Sequence, residues 1–119
     1  MNWSAIGAAG LALAVAAGAF GAHGLRGRLD EYQLGIYERA VFYQFIHAIG
    51  LLVTPLLVKR GPAQRVCWLL LAGIVLFCGS LYVLALTGVT KWGIVTPFGG
   101  VAFILAWLLL AFELMRRRS

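Results

Sequence analysis

Tyr43, Gln44 and His47 are the residues of this 119-residue sequence whose types and spacing could do chemistry. An imidazole four residues after a phenol and three after a carboxamide puts all three groups on adjoining parts of one helix face. Ala40 and Leu51 continue that face. Glu38 and Arg39 stand at its mouth, with His47 about three turns further in. The surrounding residues are apolar, and an ionisable group inside a membrane is a functional suspect by default. One reading is a small polar site entered from the Glu38/Arg39 side, with His47 as proton carrier or ligand. The other is that the three side chains hydrogen-bond to neighbouring helices and specify packing, at about 1 kcal/mol per bond. We adopt the packing reading as the expectation and keep the site as its alternative.

Other chemistries find no support. His23 falls at the end of an apolar run and His47 lies several residues deeper in the next, so the two are unmatched in depth as axial haem ligands. Cys67 falls toward the opposite face, leaving no convergent metal-ligand set. No metal and no cofactor is expected. Cys67 and Cys78 would be about 16 Å apart on one helix, well beyond the ~7 Å Cα separation a disulfide permits. They read as small buried hydrophobes. No Ser-His-Asp set, glycine-rich phosphate loop or paired carboxylates are present, so no catalytic residue is expected and the chain reads as a non-enzyme.

The elements that must hold Tyr43, Gln44 and His47 follow from composition. The chain is 62% hydrophobic and 12% charged, with a mean hydropathy of +0.92. Soluble domains carry roughly a quarter charged residues, and a chain this short has too few polar residues to cover its surface in water. The expected fold is all-α: a single-domain integral membrane bundle of four transmembrane helices, spanning about 3–22, 39–58, 66–87 and 96–115. About twenty apolar residues cross a ~30 Å hydrocarbon core. The first run is expected to be retained as a span, because no Lys or Arg precedes it as in a signal peptide.

Connections are marked by familiar signals. Asp30 and Gln33 form a capping box. Leu29, Tyr32, Gln33 and Ile36 suggest a short segment along the headgroups before the second span. Lys59-Arg60-Gly61-Pro62 makes a tight turn, so spans two and three are antiparallel neighbours. Thr96 is expected to cap the fourth helix, with Pro97 at its first helical position.

The formal net charge of +6 is distributed at the ends of the apolar runs. Lys59, Arg60, Arg65, Arg116, Arg117 and Arg118 fall on one side, against Arg26, Arg28, Arg39 and Lys91 on the other. The excess places both termini in the cytoplasm. The six cations of that side are expected to meet anionic lipid headgroups. No basic stripe interleaved with exposed aromatics suggests nucleic acid. Glu113, just before Arg116 and Arg117, is expected to form a surface ion pair. Trp3, Trp68 and Trp92 fall near span ends like an aromatic belt. Trp107 lies deeper, as a packing residue.

Gly10, Ala14, Gly18 and Ala22 recur at every fourth position of the first span, with Gly7 and Gly21 beside them. Such a stripe allows close helix approach, within the chain or between chains. Gly73, Gly79 and Ser80 in span three, and Gly99 and Gly100 in span four, suggest further tight packing. Gly99-Gly100 after Pro97 also fits a broken helix lining a cavity, although a simple cap explains the same residues with less.

Gly18-Ala19-Phe20-Gly21-Ala22-His23, Tyr43-Gln44-x-x-His47-Ala48, Phe77-x-Gly79-Ser80-Leu81-Tyr82 and Thr96-Pro97-Phe98-Gly99-Gly100 together resemble the YgdD-like family. These are small four-span proteins of bacterial inner membranes, with relatives in eukaryotes, catalogued as a domain of unknown function. The resemblance covers nearly the whole chain. It implies a multi-pass protein of the bacterial inner membrane and carries no biochemical activity with it. It singles out His23, Tyr43, Gln44, His47, Ser80, Tyr82 and Pro97 as motif positions. The functional expectation is an assembly, accessory or interaction component, with a homo-oligomer or a membrane protein as partner. The alternative is a small oligomeric transporter or channel that moves protons or a small polar solute along the Gln44/His47 face.

Overall fold

The computed structural model describes residues 1–116, so Arg117 and Arg118 lie outside the described residues. The chain is all-α, with four helical spans of 21 to 28 residues long and apolar enough to cross a membrane. Helix α1 covers Trp3–His23, and α2 covers Glu31–Leu57. Span three, Arg60–Thr87, consists of α3 (Arg60–Gly73), a π-helical turn (Ile74–Cys78) and α4 (Gly79–Thr87). A 3₁₀ turn at Thr90–Ile94 leads into α5, Thr96–Arg116.

Local chemistry sets these boundaries. Asn2 Oδ1 accepts from Ala5 N at 3.0 Å and caps α1, whose alanine-rich run has high helix propensity. The capping box of α2 is complete: Asp30 Oδ1 accepts from Gln33 N at 2.7 Å, and Gln33 Oε1 accepts from Asp30 N at 3.3 Å. With this box satisfied α2 starts at Glu31, and it runs as one continuous helix of 27 residues. No separate headgroup segment forms, and Ile36 is buried in the core.

Span three begins earlier than the charges suggested. Lys59 is the N-cap, and Arg60, Gly61 and Pro62 already form the first turn of α3, where a proline's missing N–H costs no helix bond. Gly88 ends α4 in the left-handed conformation (φ +72°), as glycine readily does. α5 is continuous through Gly99 and Gly100, so the irregular turn falls in span three instead.

Span two is the centre of the bundle. It packs against α1 on one side and against all three segments of span three on the other, while α5 packs chiefly on span three. α1 lies outermost and rests on α2 through its small residues. A Cβ on Gly7 would stand 2.5 Å from Leu52 N and 2.7 Å from Ala48 O, so only glycine permits this approach. The stripe is therefore used inside the chain, with one change from its sequence spacing: Gly21 faces Tyr37 while Ala22 is exposed.

Two apolar layers make up the core. One gathers Ile36, Tyr37, Val41, Leu81, Leu84 and Phe103, and the other gathers Trp3, Leu51, Val66, Leu70, Ala106 and Leu110. Gln44 and His47 fall between these layers along α2. The outer ends of α1 and α5 both meet the α2–α3 turn, where Met1 shares a cavity with Arg60, and Glu113 shares one with Lys59.

Candidate functional site

The three residues of the sequence motif diverge in the structure. Gln44 turns toward α1 and α4. Its amide Nε2 donates to Gly10 O at 2.9 Å, and Tyr82 Oη donates to its Oε1 at 2.7 Å. One buried carboxamide thus ties three spans together. Gly10 permits this because its missing side chain keeps α1 close; a Cβ there would lie 3.2 Å from Ala48 Cβ. A doubly bonded amide also satisfies the demand that polar groups in hydrocarbon find partners in the protein.

His47 turns toward α5. Its ring stacks on Phe103, with centroids 3.5 Å apart and planes 13° from parallel. Tyr43 stacks at 5.8 Å on one side, and Trp107 tilts in at 5.7 Å. Nδ1 lies 2.7 Å from Tyr43 O. A carbonyl can only accept, so Nδ1 carries the proton. The ring is 4% exposed.

The aromatic stack depends on glycines in the facing elements. A Cβ on Gly73 would run into the Phe103 ring, and a Cβ on Gly99 would run into the Phe77 backbone. Phe77 lies in the π-helical turn and packs on Tyr43 at 4.5 Å and Phe103 at 5.5 Å. π-Bulges often mark functional positions; here the widened turn sits where spans two, three and four meet. Nothing in the sequence signals it, since Ile74–Cys78 contains neither Gly nor Pro. Gly79, grouped with the packing glycines on sequence grounds, faces open space, and Gly100 makes only ordinary contact.

The remaining motif residues divide between ties and surface. Ser80 Oγ lies 2.6 Å from Thr96 Oγ1 and donates to Phe77 O at 3.0 Å, joining spans three and four. α5 starts at Thr96 itself, so Thr96 is the helix's first residue and not its cap, Pro97 is the second, and the Thr96 hydroxyl makes an interhelical bond instead. Tyr82 serves Gln44 as described. His23, Glu38, Arg39 and Pro97 are exposed and do not join the Gln44 or His47 contacts. Glu38 borders a small cavity with Gly18, Gly21, Tyr37 and Val41.

Several residues with the same role lay outside the sequence motif. Tyr37 Oη donates to Ala17 O at 2.6 Å, and its ring meets Tyr82 edge-on at 5.4 Å. Its position seven residues before Gln44, on the same helix face, was the available signal. Ser4 Oγ donates to Leu52 O at 2.9 Å, and Gln33 Nε2 to Ala85 O at 3.0 Å. Glu113 was expected at the surface; it is 6% exposed and pairs with Arg116 at 3.1 Å. Its face of α5 turns inward because Phe103, Ala106 and Leu110, at three- and four-residue spacing before it, are all core residues.

A groove of about 340 Å³ opens between α1 and α4, with Tyr37, Gln44 and Tyr82 among Leu13, Ala17 and Phe20. Cys67 and Cys78 are both free and buried. Among the described residues, no three His, Cys, Asp or Glu side chains stand close enough to hold a metal ion.

Four apolar spans joined by buried side-chain ties define a small polytopic helical membrane protein. The chain belongs to the family described as "Protein of unknown function (DUF423)", whose model matches residues 17–100. Its relatives include the UPF0382 membrane protein YwdK of Bacillus subtilis, 44% identical over 109 residues that cover 88% of this chain and 89% of the relative. The UPF0382 membrane protein SERP0230 of Staphylococcus epidermidis is 46% identical over 113 residues, 93% of each chain. SSP2132 of Staphylococcus saprophyticus, another UPF0382 membrane protein, is 46% identical over 107 residues, 88% of this chain and 89% of the relative. No solved structure matches the chain.

Proposed function

We propose that this protein is a non-enzymatic component of the bacterial inner membrane that works by lateral association, with copies of itself or with another membrane protein. Both termini face the cytoplasm in this reading, supported by the excess of Lys and Arg at the end that holds Lys59, Arg60, Arg65 and Arg116. The same cations rest against anionic headgroups. A bacterial membrane is favoured because relatives from Bacillus and Staphylococcus carry the name membrane protein, and the inner (plasma) membrane suits four apolar helical spans.

The observation that carries the reading is the outer side of α1. This helix is held by α2 alone along most of its length, and its lipid side presents Ala5, Ala8, Ala9, Ala12, Ala16 and Ala19, all exposed. Against lipid, small side chains gain little, whereas against another helix they allow close backbone approach. The polar residues favour the same reading, because Gln44 has both ends of its amide engaged between helices.

Cysteine crosslinking in intact membranes tests it. Ala12→Cys and Ala16→Cys should each give a discrete crosslinked species, while Leu108→Cys on the exposed face of α5 should not. Absence of a crosslink from either α1 position would contradict lateral association through this face.

A further inference from the structure

The last turn of α5 meets the α2–α3 turn across a cavity of about 320 Å³, lined by Val58, Lys59, Pro62, Glu113 and Arg116. Charged side chains of both signs thus face one space. Of the four acidic residues in the chain, Asp30, Glu31 and Glu38 belong to the opposite end of α2, so Glu113 is the carboxylate of the basic end.

Glu113 is only partly satisfied by the protein. Its side chain is 7% exposed, against 62% for its partner Arg116. The ion pair engages one carboxylate oxygen, Oε2, at 3.1 Å. Oε1 has no hydrogen-bond partner among the described residues. It is not sealed in, because the one fully buried polar side-chain atom left unpartnered among the described residues is Trp3 Nε1. Oε1 therefore keeps accessible surface, and the cavity is the opening that Glu113 lines. A carboxylate taken out of water needs its remaining lone pairs satisfied as well as its charge paired. Whatever fills the cavity must bring Glu113 a donor.

Lys59 needs the reverse. It is the exposed N-cap residue of α3 and makes no hydrogen bond or ion pair among the described residues. An ammonium has three donors and no acceptor, so Lys59 needs an anionic oxygen. A purely anionic occupant would satisfy Lys59 and set its own oxygens against Glu113. An occupant that suits both walls carries an N–H donor and an anion in one molecule.

The depth of the cavity narrows the choice to lipid. Val58 and Pro62 give it an apolar wall, and Phe112 and Met115, on either side of Glu113 in α5, are exposed to the hydrocarbon. The Arg116 guanidinium reaches back to 6.0 Å from the Phe112 ring. Charged heads above apolar stems mark the boundary between hydrocarbon and water.

We propose that this cavity binds the headgroup of a zwitterionic aminophospholipid, whose ammonium donates to Glu113 Oε1 while its phosphodiester accepts from Lys59. This rests on the reading that the basic end meets lipid headgroups, and gives that end a preference among them.

Native mass spectrometry of the purified full chain, titrated separately with phosphatidylethanolamine, phosphatidylglycerol and phosphatidylcholine, tests the proposal. One phosphatidylethanolamine should bind about tenfold more tightly than either of the others, through its charge-assisted bond to Glu113. Phosphatidylglycerol lacks the ammonium, and the quaternary nitrogen of phosphatidylcholine has no N–H. Glu113→Gln keeps the shape and removes the charge. It should weaken phosphatidylethanolamine several-fold and leave phosphatidylglycerol bound at least as tightly as before. Lys59→Gln should weaken phosphatidylethanolamine several-fold, whereas Arg65→Gln, at the same end outside the cavity, should change it less than about twofold. If Glu113→Gln unfolds the protein, as read by circular dichroism, the lipid order of the wild type and the contrast between Lys59→Gln and Arg65→Gln carry the test. Phosphatidylglycerol bound as tightly as phosphatidylethanolamine, with equal losses in Lys59→Gln and Arg65→Gln, would leave general headgroup contact standing and overturn the defined site. A phosphatidylethanolamine preference that survives Glu113→Gln would also overturn it. Binding of no lipid would overturn both readings.

Discussion

Tyr82 donates its hydroxyl hydrogen to Gln44 Oε1 at 2.7 Å, from α4 to α2, while the other end of that amide reaches the Gly10 carbonyl of α1. One of these bonds holds the outermost helix to the centre of the bundle, and the other joins span three to the same side chain. They should be energetically coupled. Gln44→Leu leaves the Tyr82 hydroxyl without its acceptor, and Tyr82→Phe leaves Oε1 without its donor. A double-mutant cycle in detergent, followed by thermal denaturation, should give a coupling energy of about 1 kcal/mol. Additive losses would mean that the bond contributes nothing to the fold.

His47 is held mainly by its ring. The stack on Phe103 occupies its face, whereas the hydrogen bond goes to a carbonyl one turn back on its own helix. His47→Ala should therefore destabilise the bundle by about 2–4 kcal/mol, as large-to-small changes in packed interiors do. His47→Phe, which can stack but cannot donate, should retain more stability than His47→Gln, which can donate but cannot stack. Circular dichroism melts of the three variants give the order. A more stable His47→Gln would assign the residue's main role to its hydrogen bond.

The glycines separate by what faces them. Gly7 lies against Leu52 N and Ala48 O, and Gly99 against the Phe77 backbone, which cannot give way as a flexible side chain can. Gly7→Ala and Gly99→Ala should each cost about 1–3 kcal/mol or more, as overpacking does. Gly79 has open space at the Cβ position, so Gly79→Ala should be neutral or stabilise by up to about 1 kcal/mol through helix propensity. Melting temperatures of the purified variants check all three.

Much of this architecture was legible in the sequence, and the reasons are local. Uninterrupted apolar runs specify spans, the Asp30–Gln33 box specifies a helix start, and Gly7 to Gly21 specify a packing face. Gln44 and His47 were legible as buried polar residues, with Tyr43 half-buried beside them. Their divergence was not, because three-residue spacing puts Gln44 and His47 on adjoining faces that spans one and four then draw apart. The partners Gly10, Ala17 and Phe103 are ordinary residues in a helical sequence, made significant only by which helix lies opposite. The π-helical turn at Ile74–Cys78 was hidden as well: it holds neither Gly nor Pro, and local propensity gives no sign of it. Glu113 illustrates the converse, since proximity to Arg116 in sequence predicted the pair but not its burial.

On the proposed function, Gln44 and His47 hold helices together and do not conduct protons. The most direct test is proton flux into liposomes reconstituted with the purified protein, driven by a pH step and a potassium-diffusion potential and read by an entrapped pH-sensitive dye. Flux should equal that of protein-free liposomes for the wild type, for Gln44→Leu and for His47→Ala. Flux above that baseline in the wild type, lost in either variant while its fold persists, would contradict the account and identify the Gln44/His47 face as a conduction path.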